Sequence, residues 1–214
     1  MDIEKILNNL VWYGHDTFCL KASGKTIYFD PYKLQGEKAP ADIIFITHDH
    51  FDHCSPEDVE KICKSSTIII SEPRAAEKFI RKAVTKSMKP GDKLEIEEIT
   101  VEAVPAYNTN KKFHPKSNNW IGFILTVEGV RLYHAGDTDH IPEMKFIKTD
   151  IALLPVSGTY VMTAGEAVGA ALELNPRVAI PMHLGGSVGT MEDARIFAQG
   201  LEGKIRVEIL KIQP

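Results

Sequence analysis

The feature that most constrains this chain is a segment rich in histidine and aspartate, Thr47-His48-Asp49-His50-Phe51-Asp52-His53. It directly follows a short apolar run whose β-branched content predicts a buried strand. Where a strand passes into a loop, alternate side chains can turn to one side, so that His48 and His50 can share one cation. Asp52 and His53 can then face a second cation. Imidazole and carboxylate are ligands that zinc accepts, and they also suit iron and manganese.

Other ligands must come from elsewhere in the chain, because a catalytic zinc ion takes about three protein ligands plus water. Asp137 lies in His134-Ala135-Gly136-Asp137-Thr138-Asp139, directly after a second predicted strand, and could bridge two cations. His183 follows a third predicted strand and could complete the second ligand set. A lone Asp or His after a strand is more often a turn cap or a core histidine. The histidine-rich segment reverses that preference here.

Short apolar runs alternate with turns and helices along the chain, which indicates a layered protein of the α/β or α+β class. The predicted strands are Leu10–Tyr13, Phe18–Leu20, Thr26–Phe29, Ile43–Ile46, Thr67–Ser71, Ile99–Val104, Ile121–Val127, Val130–Tyr133, Ile151–Leu154, Val178–Pro181 and Val207–Ile212. The predicted helices begin at Ser55, run from Pro73 towards Lys86, and span Thr163–Leu174 and Met191–Leu201. No linker interrupts the pattern, so residues 1–214 are expected to form a single domain.

The composition of the chain argues against nucleic-acid-binding, secreted and membrane-spanning proteins. The 214 residues carry a formal net charge of −4, which gives little counterion release on phosphates and argues against a nucleic-acid partner. The three cysteines form no CxxC pair, as is typical of a reducing compartment, and a cytoplasmic location is expected. The N-terminus lacks an apolar signal region, and no stretch reaches the roughly 18 apolar residues of a membrane span. A small-molecule substrate is the expected partner, and homo-oligomerisation stays open.

The order of these motifs resembles the metallo-β-lactamase superfamily, and the resemblance covers nearly the whole chain. Gly14-His15 and Phe29-Asp30-Pro31 are similar to one branch, the beta-lactamase-fold hydrolases related to the ascorbate-phosphate lactonase and to the phospholipase D that acts on N-acyl ethanolamine lipids. The resemblance implies an α+β fold, a four-layer αββα sandwich with the metals at one edge. It implies the following ligands: His48 and His50 for the first ion, Asp52, His53 and His183 for the second, and Asp137 as the bridge.

The chain departs from the family pattern at the third histidine of the first ion. That residue usually follows the strand represented here by Ile99–Val104, where this chain reads Val104-Pro105-Ala106-Tyr107-Asn108. His114 is the nearest substitute and would have to reach the ion from a longer loop. Asn108 or water remain the alternatives.

Three further residues are expected near the ions. Asp30 is predicted to orient a ligand histidine from outside the coordination shell, since metal-bound histidines usually donate to such a group. His15 is predicted to bind substrate or touch a metal ligand, and Tyr107 to lie near the substrate. The ordinary interpretations are a strand-end cap for Asp30 and a core histidine for His15.

The expected function is hydrolysis of a small ester, lactone or phosphodiester with two divalent ions. Zinc is the expected metal, with Mn²⁺ or Fe²⁺ as alternatives. Such ions lower the pKa of bound water from 15.7 towards about 7, and Asp52 is predicted to hold the proton of that water and orient its attack. The alternatives are a nuclease of the same superfamily, although the chain shows no basic RNA-binding arm, and a non-catalytic metal-binding protein.

Overall fold

The computed structural model describes residues 2–80, 83–185 and 188–214. Its helices are α1 Ile3–Asn8, α2 Pro56–Ile62, α3 Pro73–Glu77, α4 Ala164–Leu174 and α5 Met191–Leu201, with short 3₁₀ helices at Lys116–Asn118 and Pro142–Phe146. Its strands are β1 Leu10–Trp12, β2 Phe18–Ala22, β3 Lys25–Phe29, β4 Ile43–Ile46, β5 Ile68–Ser71, β6 Val84–Ser87, β7 Lys93–Ile96, β8 Ile99–Pro105, β9 Ile121–Val127, β10 Val130–His134, β11 Ile151–Pro155, β12 Val178–Met182 and β13 Arg206–Val207.

The strands form two mixed sheets. The first sheet has six strands in chain order, β1 to β6, and its strands from β3 onwards are parallel. The second sheet has seven strands in the order β13-β12-β11-β10-β9-β8-β7, and β10 to β13 are parallel. Strand β8 is antiparallel to β9, and β9 is antiparallel to β10, so β8 runs in the same direction as β10. Their carboxyl ends therefore meet at one edge of the sheet.

The main core lies between the two sheets. Phe45 of β4 meets Phe123 of β9 there, with ring centroids 4.8 Å apart. A second apolar layer covers the outer face of the first sheet, where Ile44 packs with Val59 and Ile62 of α2. Helices α4 and α5 pack against β11 and β12 of the second sheet. Alternating strand faces thus bury apolar side chains on both sides of each sheet, and the predicted four-layer αββα sandwich is confirmed.

Two element predictions were wrong in extent. The helix predicted from Pro73 towards Lys86 ends at Glu77, and Val84–Ser87 instead forms strand β6 beside β5. The β-branched Val84 and Thr85 favour that pairing, whereas the apolar helical spacing stops before them. The last strand was predicted over Val207–Ile212, but β13 ends at Val207 and the chain crosses to the first sheet, where Ile212 bridges Trp12.

The connections that follow β3, β4, β8, β10 and β12 all leave the sandwich at the same edge, and the predicted ligands lie on them. Loops at the carboxyl ends of parallel strands commonly form sites for this reason. In the described part of the chain, none of the helices combines the length and the apolar character needed to cross a bilayer.

Candidate metal centre

The predicted ligands gather around the carboxylate of Asp137. Its Oδ2 atom lies 3.1 Å from Nε2 of His114 and 4.0 Å from Nε2 of His48. Its Oδ1 atom lies 3.4 Å from Nε2 of His53 and 3.4 Å from Nε2 of His183. The two oxygens of one buried carboxylate therefore face two different groups of histidines, which is the arrangement that a bridging ligand requires.

The first group consists of His48, His50 and His114, whose ligand atoms all lie within 4.8 Å of one another. Nε2 of His48 is 3.1 Å from Nδ1 of His50. All three rings contact the indole of Trp120, at centroid distances of 4.8, 4.6 and 5.3 Å. Sequence reasoning did not identify Trp120, because a tryptophan after a loop carries no signal of a ligand shell. It forms an apolar wall that limits how far the imidazoles can turn.

The second group combines His53 and His183 with two residues from the loop after β1, His15 and Asp16, again within 4.8 Å. Asp52 is not a member of that group. Its Oδ2 atom lies 3.5 Å from Nε2 of His15, and its side chain faces the cavity above the histidines. His15, predicted to touch a metal ligand or the substrate, therefore stands beside Asp52 and His183.

Asp30 fixes both ends of the histidine-rich loop. Its Oδ1 accepts from the backbone N–H of Thr47 at 2.8 Å, and its Oδ2 accepts from the Thr47 hydroxyl at 2.7 Å. The same Oδ2 lies 2.8 Å from Nδ1 of His53, which must donate to it. Since Nδ1 donates to Asp30, Nε2 of His53 is the ring nitrogen that faces Asp137 and would bind an ion. The structure thus places Asp30 behind His53, one of the predicted ligands.

Asn108 positions His114. Its side-chain oxygen accepts from the backbone N–H of His114 at 2.9 Å and lies 3.1 Å from Nδ1 of that ring. Its amide nitrogen donates to Oδ1 of Asp139 and to the backbone oxygen of Tyr160. The loop between β8 and β9 is therefore folded so that His114 joins His48, while Asn108 holds the ring from behind.

Gly136 permits the close approach of the Asp137 loop. It has φ +63°, and a Cβ atom there would lie 3.1 Å from Cβ of Thr47. His183, at the end of β12, is held by the hydroxyl of Ser157, 2.6 Å from its Nδ1. Its backbone N–H donates to the backbone oxygen of His15 at 3.1 Å. Both ligands are thus set by the backbone at the sheet edge.

Asp16 was not among the predicted residues, and nothing but its position beside His15 could have suggested it. It is fully buried, and neither carboxylate oxygen has a hydrogen-bond partner among the described residues. Its Oδ2 lies 3.7 Å from Nδ1 of His53. Burial raises the pKa of this carboxyl well above its usual value. The neighbouring His134, also buried, donates from Nε2 to the Asp16 backbone oxygen at 2.9 Å.

Burial and neighbouring charges set the protonation of the cluster. Burial, followed by the charge of neighbouring histidines, lowers the pKa of His48 and of His50, so both are neutral imidazoles at pH 7. Burial opposes ionisation of Asp137, but His53 and His183 outweigh it and hold its pKa well below the usual value. Burial likewise opposes charge on His53, yet Asp137 and Asp30 raise its pKa. A divalent metal binds imidazole in its neutral form, so His53 and His183 would release a proton when an ion binds, whereas His48 and His50 are already neutral.

Several buried polar atoms without hydrogen-bond partners indicate whether the site could hold a cation. Nε2 of His53, Nε2 of His114 and Oδ1 of Asp137 are buried and make no hydrogen bond in the described structure. Buried polar atoms without partners are costly and rare. All three point into the centre of the cluster, and each is an ordinary ligand atom for zinc, manganese or iron. The residues present therefore fit a metal centre.

Tyr107 lies beside the site but its hydroxyl is engaged elsewhere. It donates to Oε2 of Glu143 at 2.8 Å and accepts from the Lys116 amine at 3.2 Å. The cavity above the ligands has a volume of about 340 Å³, and its described lining is His50, Phe51, Asp52, Phe113, His114, Asp137, Tyr160, His183 and Val188. Tyr107 is not part of that lining.

Known proteins resemble this chain over most of its length. The family model described as the beta-lactamase superfamily domain matches residues 9–183. A UPF0173 metal-dependent hydrolase from Thermoplasma acidophilum is 33% identical over 187 residues, covering 81% of this chain and 82% of the relative. A Parabacteroides distasonis structure described as a metal-dependent hydrolase superposes with a TM-score of 0.86 at 36% identity, covering 95% and 93% of the two chains. Igni18 from Ignicoccus hospitalis, with a TM-score of 0.74, 22% identity and coverage of 96% and 95%, shares the fold.

Proposed function

This chain belongs to the beta-lactamase superfamily. We propose that it hydrolyses a small ester, lactone or phosphodiester at a centre that binds two divalent ions. Zinc is the metal that we propose. Its relatives are metal-dependent hydrolases, and this chain is a metal-dependent hydrolase of the same fold. The observation that carries the finer proposal is the Asp137 carboxylate, whose two oxygens face two separate histidine groups.

We assign His48, His50 and His114 to the first ion and Asp52, His53 and His183 to the second, with Asp137 shared between them. When bound, the ions would supply Lewis acidity, which acidifies water and polarises the oxygen of the substrate. Asp52 faces the cavity and is the carboxylate placed to accept a proton from the attacking water. Nε2 of its neighbour His15 lies 3.5 Å from Oδ2 of Asp52.

Proton delivery to the leaving group needs a group on the opposite wall of the cavity. Tyr160 lines that cavity, and its backbone oxygen lies 3.1 Å from Nδ1 of His114. The Lys116 amine of the flanking loop pairs with Glu143 at 2.7 Å and is not part of the described cavity lining. We therefore assign the role of proton donor to the Tyr160 hydroxyl, with water as the alternative source.

Metal content per chain tests the ligand assignment. Wild-type protein dialysed against excess Zn²⁺ and then freed of loose metal is expected to retain two ions, measured by inductively coupled plasma mass spectrometry. His114→Ala should retain one. His140→Ala is the matched control, because His140 is a half-buried histidine outside the cluster that pairs with Glu173. Retention of two ions by His114→Ala would remove that residue from the ligand set.

Turnover tests the activity class. The zinc-loaded protein is expected to hydrolyse p-nitrophenyl acetate, a homoserine lactone or bis(p-nitrophenyl) phosphate, and Asp52→Asn should lose at least about a hundredfold in kcat. A protein that holds both ions but turns over none of these substrates would be a metal-binding protein without this activity. Cleavage of single-stranded RNA alone would favour the nuclease alternative.

A further inference from the structure

Exposed aromatic side chains surround the opening of the cavity. Phe51 is 73% exposed, Phe113 49% and Tyr160 37%, and all three line it. The rings of Phe113 and Tyr160 meet edge to face with centroids 4.6 Å apart. Single exposed apolar residues are common on protein surfaces, but a cluster of large ones around a cleft marks a binding surface. The chain therefore presents an apolar rim directly above its ligand cluster.

The position of Phe51 makes this rim part of the site. Phe51 stands between His50 and Asp52, so the loop that carries the ligands also carries the ring. Its ring contacts Tyr32 edge to face at 5.9 Å, which holds it from the side. The opposite wall comes from the loop that supplies His114, with Phe113 immediately before it. Each aromatic wall is thus one residue away from a predicted ligand.

Positive charge is missing from the described lining of this cavity. Its ionisable members are aspartates, histidines and Tyr160, and none is a lysine or an arginine. Two lysines of the flanking loop are already paired, Lys111 with Asp139 at 2.7 Å and Lys116 with Glu143 at 2.7 Å. Sites that recognise phosphate or carboxylate groups usually offer an arginine or lysine to them. Apart from the ions, an anionic substrate group would find no cationic partner in the described lining.

The volume of the cavity limits the size of the substrate. At about 340 Å³ the cavity lies near the lower end of ligand pockets, which span about 300–1,000 Å³. Building on the hydrolase function proposed above, we infer that the substrate is a small uncharged ester or lactone with an apolar or aromatic group, and that Phe51, Phe113 and Tyr160 bind that group.

Hydrolysis breaks the bond between the acyl carbon and the alkoxy oxygen. A new bond forms to the oxygen of water, and the alcohol leaves with one water proton.

Turnover of matched substrates measures this preference. The zinc-loaded protein should show a higher kcat/KM for p-nitrophenyl butyrate than for p-nitrophenyl acetate, and the lowest for ionised bis(p-nitrophenyl) phosphate. Phe113→Ala and Phe51→Ala should lower kcat/KM for the butyrate about tenfold, with the acetate less affected and zinc content unchanged. Phe146→Ala is the control, because Phe146 is 75% exposed but lies on the 3₁₀ helix at Pro142–Phe146, outside the cavity. Preference for the phosphodiester, or an equal loss in Phe146→Ala, would overturn the inference.

Binding without turnover separates this inference from the hydrolase function. N-Phenylbutanamide, an uncharged amide of similar shape, should bind the zinc-loaded wild type in a ligand-observed NMR titration. Its dissociation constant should rise about tenfold in Phe113→Ala and stay unchanged in Phe146→Ala. Binding in a protein that hydrolyses no ester would support the apolar subsite while contradicting the hydrolase function. Absence of binding, or equal binding in all variants, would overturn the subsite whatever the enzyme hydrolyses.

Discussion

Asp30 offers a sharp test of how the protein orients its ligands. Its carboxylate accepts from the N–H and the hydroxyl of Thr47 and from Nδ1 of His53, at 2.7 to 2.8 Å. In Asp30→Asn, one oxygen becomes an NH₂ group. Thr47 can still be satisfied by the remaining oxygen, because a hydroxyl can rotate. Nδ1 of His53 would then face a donor, so the ring must shift its proton to Nε2, the atom that would bind the ion.

The size of the effect follows from this geometry. Loss of an outer carboxylate behind a ligand histidine lowers metal affinity about 10- to 100-fold. The metal-free protein should lose about 1.5–3 kcal/mol in its free energy of unfolding, because a charge-assisted hydrogen bond disappears from a buried site. Asparagine, like aspartate, tolerates the left-handed φ of +41° at residue 30, so backbone strain does not obscure the comparison.

Competition with a chromophoric chelator would measure the zinc affinity, and urea unfolding of the metal-free protein would measure stability. Asp58→Asn is the matched control. Asp58 is a buried carboxylate that accepts from the backbone N–H groups of Lys33 and Leu34 at 2.9 Å, away from the cluster. It should cost comparable stability and leave zinc affinity within about twofold, since it touches no proposed ligand. Wild-type zinc affinity in Asp30→Asn, or an equal loss of affinity in Asp58→Asn, would refute the argument.

Three further perturbations probe the same centre. Asn108→Ala should lower zinc content towards one ion per chain in mass spectrometry, because His114 loses both of its hydrogen bonds to that side chain; unchanged content would show that the loop holds its shape unaided. Gly136→Ala should lower the free energy of unfolding by about 1–3 kcal/mol in urea, since φ is +63° and the new Cβ meets Thr47 at 3.1 Å; a neutral effect would contradict the close approach. Removal of metal by EDTA should lower the melting temperature, because zinc at a hundred times its dissociation constant adds about 2.7 kcal/mol of stability; an unchanged melting temperature would count against binding to the folded state.

The sequence was sufficient to predict which candidate ligands come together when they lie directly after strands. His48, His50, Asp137 and His183 each follow a strand recognisable from its apolar run, and carboxyl ends at one edge converge whatever the details of the loops. The structure brings all four together. The same strands indicated a layered α/β or α+β protein, whereas the four-layer arrangement followed from the resemblance carried by the metal-ligand motifs.

Residues whose positions depend on loop shape could not be predicted in this way. His114 reaches the cluster only because Asn108 holds the loop between β8 and β9 through hydrogen bonds to several partners. Asp16 and Trp120 gave no signal, since one is a lone carboxylate and the other a lone aromatic residue. Strand β6 was assigned to a helix because local apolar spacing outweighed the β-branched pair at its start, and only pairing with β5 decides between them.

Three residues at the candidate centre have a strained backbone conformation, and hydrogen bonds between the two sheets hold two of them in place. His15, Asp30 and His183 have φ of +49°, +41° and +63°, a left-handed conformation that costs a non-glycine residue roughly 1–2 kcal/mol. Glycine would adopt this conformation without that cost, yet each residue carries a side chain that contacts the candidate centre. Two backbone hydrogen bonds offset the cost, from His15 to the Leu184 oxygen at 2.6 Å and from His183 to the His15 oxygen at 3.1 Å. These bonds connect the loop after β1 of the first sheet with the end of β12 in the second. The ligand edge is therefore also a seam between the sheets, and a shift of one sheet against the other would move His183 away from His53.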